Sequence, residues 1–278
     1  MKWSQTDQDG LSSVRYVALS ARDSLGTFKT AVGYRGHMIG VEYEDAVMRG
    51  GIANAAPFTT NGQLTTAGAT GQPVCSSGVS AINIPASSGV QMSFVSSSAQ
   101  DGVAGTGIRT LIMEYLDVNL NQKTETITMN GTTPVSSVAT DVRWIQNIEQ
   151  ITFGSGKAAA GNISATNGGL TYAYIVANRV RYECSFVMVP NGKIFVPKNV
   201  LLTSVAVTAD TYSLFDITLL DTNYFCPQFT LGVQNNSKSF PITGLPALTA
   251  GNIIGITHTT NKAAYLAAAI QGTMENAV

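Results

Sequence analysis

DGVAGTGIRTLIMEYLDVNLNQKTETITMNGTTPVSSVATDVRWIQNIEQITF, residues 101–153, is the stretch whose reading decides the fold class. Residues 108–116 form a run rich in β-branched and apolar side chains, and Asn119 and Asn121 then mark a turn. From Thr124 to Met129 the alternation is strict. Thr124, Thr126 and Thr128 take one face, and Glu125, Ile127 and Met129 take the other. Asn130-Gly131 follows at once and predicts a two-residue hairpin turn, because both residues tolerate positive φ. A third run at 142–153 comes after a polar loop. Strand follows turn follows strand, with few ionisable groups between them.

Outward from this segment the same grammar recurs. Further strands are expected at 170–177, 182–189, 200–207, 214–220, 225–233 and 252–257, and shorter ones near 79–84 and 91–95. No amphipathic helix of 10–15 residues separates them, so a parallel α/β architecture is excluded. The expected fold class is all-β, an antiparallel β-sandwich or jelly roll with an extended or irregular N-terminal segment. Residues 262–270 (KAAYLAAAI) have the alanine content of a helix, yet a closing segment needs a pairing partner, which favours a strand hairpinned to 253–257. The period-2 pattern places Ile112, Ile127, Trp144, Ile148, Phe186, Phe215 and Ile217 inward.

Composition narrows the function classes. Of 278 residues only 12% are charged, against about 25% in ordinary domains. The formal net charge of −1 offers no basic stripe for nucleic acid. Neutral polar surface packs against neighbouring subunits without the cost of desolvating ions. Met1-Lys2-Trp3-Ser4-Gln5 opens on a polar stretch, so neither a secretory leader nor a membrane span is expected. Cys75, Cys184 and Cys226 are an odd set without CxxC spacing. No disulfide framework is therefore expected, and Cys184 reads as a small buried hydrophobe.

Several phrases carry a resemblance. GTGIRT (105–110), MEYLD (113–117) and TETITMNGTTPV (124–135) resemble a segment common in structural proteins of tailed bacteriophages. GNISA (161–165) and VPNGKIFVP (189–197) fit the same pattern more loosely. The resemblance implies a virion structural protein of the head-decoration, cement-like or fibre-associated β-sandwich kind. It implies partners among other virion subunits, foremost the major capsid protein, in a homotrimer or larger symmetric assembly. Assembly would take place in the host cytoplasm, without nucleic acid or membrane as partner.

The chemistry-bearing residues give no enzyme. His37 and His258 lie far apart in turn-like contexts, and no GxSxG elbow exposes a serine. The glycine-rich run 102–107 lacks a P-loop lysine and opens a strand, so it reads as a hairpin loop rather than a phosphate cradle. Asp216, Asp221, Glu114, Asp117 and Glu125 are the carboxylates a glycosidase pair would draw on, with Arg109 and Lys123 as their more ordinary partners. Asp117-Val118-Asn119-Leu120-Asn121 resembles the start of a calcium loop but lacks its glycine and distal glutamate. No catalytic, cofactor-binding or metal residue is therefore assigned.

Residues 1–60 differ from the rest, mixing Arg15, Arg22, Lys29, Arg35 and Arg49 with acidic residues and frequent glycines. They are expected to form an arm or lead-in ordered by a partner subunit, and 61–278 to form the sandwich. The connectors 57–72 and 154–169, rich in Thr, Gly and Ala, read as adaptable loops.

Overall fold

The computed structural model describes residues 20–22, 28–30, 47, 52, 54–76, 79–208, 211–220, 228–231, 236–242 and 245–277. Most of the expected lead-in 1–60 lies outside these residues, as do His37, Asp221 and Cys226.

The described chain is all-β, and every strand pairing is antiparallel. In chain order the first strands are β1 (Ser20–Arg22), β2 (Phe28–Thr30), β3 (Ala55–Thr59), β4 (Gly62–Thr66) and β5 (Ala69–Pro73). There follow β6 (Ser93–Ser96), β7 (Ile108–Leu116), β8 (Gln122–Thr128), β9 (Val135–Ser136), β10 (Trp144–Phe153), β11 (Ile163–Asn167) and β12 (Leu170–Ile175). The last are β13 (Val187–Met188), β14 (Lys193–Ala206), β15 (Ser213–Leu219), β16 (Gln228–Leu231), β17 (Asn236–Pro241), β18 (Leu248–Thr249), β19 (Ile253–Thr260) and β20 (Ala264–Asn276).

Two separate cores organise these strands. A sheet of order β10-β7-β8 and one of order β12-β11-β6-β9 enclose the first. Leu111, Met113, Ile127 and Ile148 from one sheet meet Phe94, Ile163 and Ala173 from the other. A sheet of order β13-β19-β15-β16, with β5 added to β19, and one of order β17-β14-β20-β3, with β4 on β20 and β18 on β14, enclose the second. There Phe215, Ile217 and Ile256 pack on Phe195, Leu202, Leu266 and Ile270. The strands of the second core come from both ends of the described chain. The first sandwich is thus an insertion between β5 and β13. The expectation of one sandwich over 61–278 is corrected accordingly, and Ala55–Thr59, expected as arm, is a strand of the second sandwich paired with β20.

Four further expectations change. The connectors 57–72 and 154–169 contain β3, β4, β5 and β11. Their Gly, Ala, Pro and Asn residues have weak strand preference, and the partners β20, β19 and β6 decide the matter. Asn130-Gly131 does not join two paired strands, because β9 pairs with β6 rather than β8. Gly131 adopts φ +60° where the chain crosses between sheets, and a Cβ there would lie 2.8 Å from the Ala99 Cα. Of residues 182–185 only Cys184 makes isolated bridges, to Asn61 and Cys75, leaving a two-residue β13 of the expected 182–189 strand. Residues 264–276 are a strand, but β20 pairs with β14, β3 and β4 rather than with β19.

Of the expected core residues, Ile127, Trp144, Ile148, Phe186, Phe215 and Ile217 are buried. Ile112 is half-buried, opposite Glu149 and Thr126 on the outer face of its sheet, because β7 turns Leu111 and Met113 inward instead. The alternation of β8 holds: Thr124, Thr126 and Thr128 are exposed and Ile127 is buried.

Trp144 keeps 5% of its surface exposed at the start of β10. Trp144→Ala is expected to cost about 3–5 kcal/mol in a urea melt. A loss below about 1 kcal/mol would place the ring outside the core.

Candidate functional site

A buried acid stands at the base of the glycine-rich loop 102–107. Asp101 is fully buried, and its carboxylate accepts four hydrogen bonds. Ile108 N and Ala160 N donate to Oδ1 at 2.8 and 2.9 Å, and Ser96 Oγ and Gly161 N donate to Oδ2 at 2.6 and 2.8 Å. Gly107 is required by this approach, since a Cβ there would stand 2.1 Å from Asp101 Oδ1. The loop's own N–H groups are taken within the chain: Gly105 N donates to the Gly102 carbonyl, Gly107 N to the Gln100 carbonyl and Thr106 N to Gln100 Oε1. Asp101 acts as a clasp between 96–108 and 160–161.

The calcium-like run is likewise closed on itself. Asn119 N and Asn121 N donate to Asp117 Oδ1 at 2.8 and 2.9 Å, and Asn121 Nδ2 donates to Oδ2 at 3.3 Å. Burial alone would raise the Asp117 carboxyl, but these bonds, from Asn121 foremost, hold it below the usual carboxylate range. Leu120, at φ +62°, completes the β7–β8 turn. Among the described residues no group of three or more His, Cys, Asp or Glu is placed to hold a metal ion.

The structure does not bring the candidate carboxylates together. Glu114 is exposed on β7 opposite Thr124. Glu125 points to the other face and accepts from Val138 N and Ala139 N at 2.6 and 3.0 Å. Arg109 donates from Nε to the Gly105 carbonyl rather than to an acid. Asp216 lies in the second sandwich, on β15.

His258 is not the turn residue its neighbours suggested. It lies in β19 with no exposed surface. Its Nδ1 is 3.2 Å from Thr260 Oγ1, Thr260 donates to Ser213 Oγ at 3.5 Å, and Ser213 Oγ is 2.9 Å from Ser204 Oγ. This polar chain crosses the second core from β19 and β15 to β14, and Nε2 ends it without a hydrogen-bond partner. Burial lowers the imidazole to about 4.

A cleft of about 300 Å³ opens where the two sandwiches meet. Phe58, Thr60, Asn61, Lys193 and Met274 approach it from the second sandwich, and Glu114, Gln122, Gln146 and Asn147 from the first. Arg181, Tyr182, Cys184 and Phe186, on the segment that returns between them, form its remaining wall. Gln146 Nε2 donates to the Met188 carbonyl at 2.7 Å and Lys193 Nζ to Asn276 Oδ1 at 2.6 Å, so two of the polar side chains are already fixed. Burial pushes the Tyr182 hydroxyl above its ordinary value, which keeps it a neutral donor at any physiological pH. The lining thus offers amides, one acid, two bases and aromatic rings. Sequence reasoning missed it because its lining is scattered over 58–274.

Cys184 in that wall is bonded to Cys75, with Cα atoms 4.0 Å apart. The expectation of no disulfide is overturned. An odd cysteine count leaves Cys226 over but does not prevent two of the three from meeting across an antiparallel bridge.

Two measurements check these assignments. Asp101→Ala leaves three buried N–H groups unpaired and is expected to cost about 3 kcal/mol or more, with Asp101→Asn nearly as severe because its amide brings donors to donors. His258 is neutral in both folded and unfolded chains above its ordinary value, and only the unfolded chain gains a proton as pH falls towards the folded value. Stability is therefore expected to drop by about 2 kcal/mol between about pH 7 and pH 5 and to level off below about pH 4, and His258→Gln should abolish that part of the slope in urea melts.

No family model matches the chain, and no curated protein matches it. Among solved structures it is similar to the crystal structure of infectious bursal disease virus VP2 subviral particle, at 8% identity over 81% of this chain and 72% of that one. The TM-score is 0.22, and at that level the likeness establishes neither a shared fold nor a shared role.

Proposed function

We propose that the chain is a non-enzymatic structural component of a bacteriophage virion, a cement or decoration protein of the capsid acting through protein–protein contacts. Its partners would be other virion subunits, foremost the major capsid protein, and copies of itself in a homotrimer or larger symmetric assembly built in the host cytoplasm. The phage-like phrases at 105–135 carry the virion part of this reading. One structural observation supports the contact part, the outer face of the sheet β17-β14-β20-β3.

The register of that sheet lines Leu201, Thr203 and Val205 of β14 against Ala269, Ala267 and Tyr265 of β20. Ser239 and Ser237 of β17 continue the rows on one side, and Gln63 and Thr65 of β4 on the other. None of these side chains is charged, and Leu201 and Val205 are 40% and 38% exposed. Broad neutral β-surface favours association, since no ions are desolvated when it is covered.

A second reading, a tail-fibre or receptor-binding component recognising the host surface, is favoured by the cleft between the sandwiches with its amides and rings. The two differ in what must be covered. A cement protein buries the neutral sheet face against neighbours, whereas a receptor binder leaves the cleft open at a distal tip.

Light scattering at micromolar concentration is expected to give a mass of a trimer or more, and Leu201→Asp with Val205→Asp to reduce it. A stable 29.2 kDa species that also fails to bind purified capsids would sink the cement reading. Labelling of the particle at its tail tip would replace it by the second.

A further inference from the structure

Cys75 and Cys184 are 109 residues apart in sequence, and their bond closes a loop that contains nearly all of the inserted sandwich. They sit opposite each other in an antiparallel bridge at the neck, where the chain leaves the second sandwich and returns to it. Ser76 N donates to the Glu183 carbonyl at 2.7 Å and Ser185 N to the Val74 carbonyl at 3.0 Å, one bond on each side of the pair. The two cysteines exchange no hydrogen bond themselves. In such a pair the Cα atoms and side chains approach most closely, so the backbone presents the sulfurs to each other whatever their oxidation state. The two sulfurs differ in access. Cys75 is 1% exposed, whereas Cys184 is half-buried and lines the cleft. Phe186 N also donates to Cys184 Sγ at 3.4 Å, which favours negative charge on that sulfur.

We propose that the Cys75–Cys184 bond is a redox latch at the neck, opened and closed through the cleft by low-molecular-weight thiols and disulfides, with Cys184 as the reacting sulfur. In opening, a thiolate RS⁻ enters the cleft and bonds to Cys184 Sγ. The bond to Cys75 breaks, its electron pair leaves on Cys75 Sγ, and that sulfur takes up a proton. A second thiolate attacks the RS sulfur of the mixed disulfide, releasing RSSR, and Cys184 Sγ is protonated in turn. Two RSH are oxidised to one RSSR while the protein disulfide is reduced to two thiols, and closing is the reverse exchange with RSSR. Leu111 and Ile148 at the centre of one core and Phe215 and Ile270 at the centre of the other belong to different clusters, so opening frees the neck, where Cys75, Phe186 and Met188 pack at the margin of the first, while both centres keep their packing. The latch is open in a reducing compartment and closed in an oxidising one.

The full-length chain tests this by peptide mapping and hydrogen exchange. After exposure to oxidised glutathione, mapping is expected to recover a linked Cys75–Cys184 peptide. In Cys75→Ser the glutathione adduct should form on Cys184, and in Cys184→Ser the adduct on Cys75 should form at least about 10-fold more slowly. Dithiothreitol should speed exchange at 73–76 and 183–188 while protection around Leu111, Ile148, Phe215 and Ile270 stays unchanged. Should either variant fail to fold, brief alkylation of the reduced native chain with iodoacetamide reads the same asymmetry, with Cys184 labelled first. The proposal is overturned if no linked peptide forms, if Cys75 reacts as fast as Cys184, or if reduction removes protection from both cores.

Discussion

Val74–Ser76 crossing 183–185 is the contact on which the rest of the molecule depends. One segment carries the chain out of the second sandwich and the other brings it back. Their two backbone hydrogen bonds fix where the inserted sandwich stands. Ser76 Oγ and the main chain of Glu183 add a buried pair of side-chain bonds, at 3.3 and 3.1 Å. Ser185 Oγ ties the same crossing to β19, accepting from Ile256 N and donating to the Ile256 carbonyl at 3.2 and 3.1 Å. The cleft lies beside this crossing, where Met188 and Ile253 of the second sandwich pack into the core of the first. A different register here would move every residue that lines it.

Within each sandwich, buried polar groups do a second kind of positioning. Asp101 binds loops 60 residues apart in sequence because its carboxylate collects backbone donors that no strand uses. The Ser204–Ser213–Thr260–His258 chain spans the second core in the same way but leaves one ring nitrogen unpaired. The first network is saturated. The second is not, and burial keeps its imidazole neutral until the pH falls well below the ordinary histidine value.

Much of the fold was legible where local pattern and tertiary environment agree. Residues 108–116, 124–129 and 142–153 show alternation or β-branched runs, and all three contain strands whose expected inward residues Ile127, Trp144 and Ile148 are buried, Ile112 being the exception. The failures share a physical cause. β3, β4, β5 and β11 carry Gly, Ala, Pro and Asn, and their state is set by long-range partners rather than by their own side chains. The alanines of β20 favour a helix locally but lose to a ladder that runs the full length of β14. The candidate site was less legible still. The carboxylates near the β7–β8 turn look paired in sequence but alternate across a sheet. The cysteines look unpaired because their meeting depends on an insertion that spacing does not reveal.

The insertion also orders events in time. Ile270 N donates to Thr60 Oγ1 across 210 residues of chain, and β3 and β4 find their neighbour only in β20. The inserted sandwich, whose strands lie within one continuous stretch, is complete while the C-terminal strands are still being synthesised. The second sandwich must hold β5 unpaired until β19 emerges and β3 and β4 until β20 does, since loop closure over that distance comes late. During translation those strand edges are open to other chains. At that stage other chains compete with the molecule's own last strands for the same hydrogen bonds.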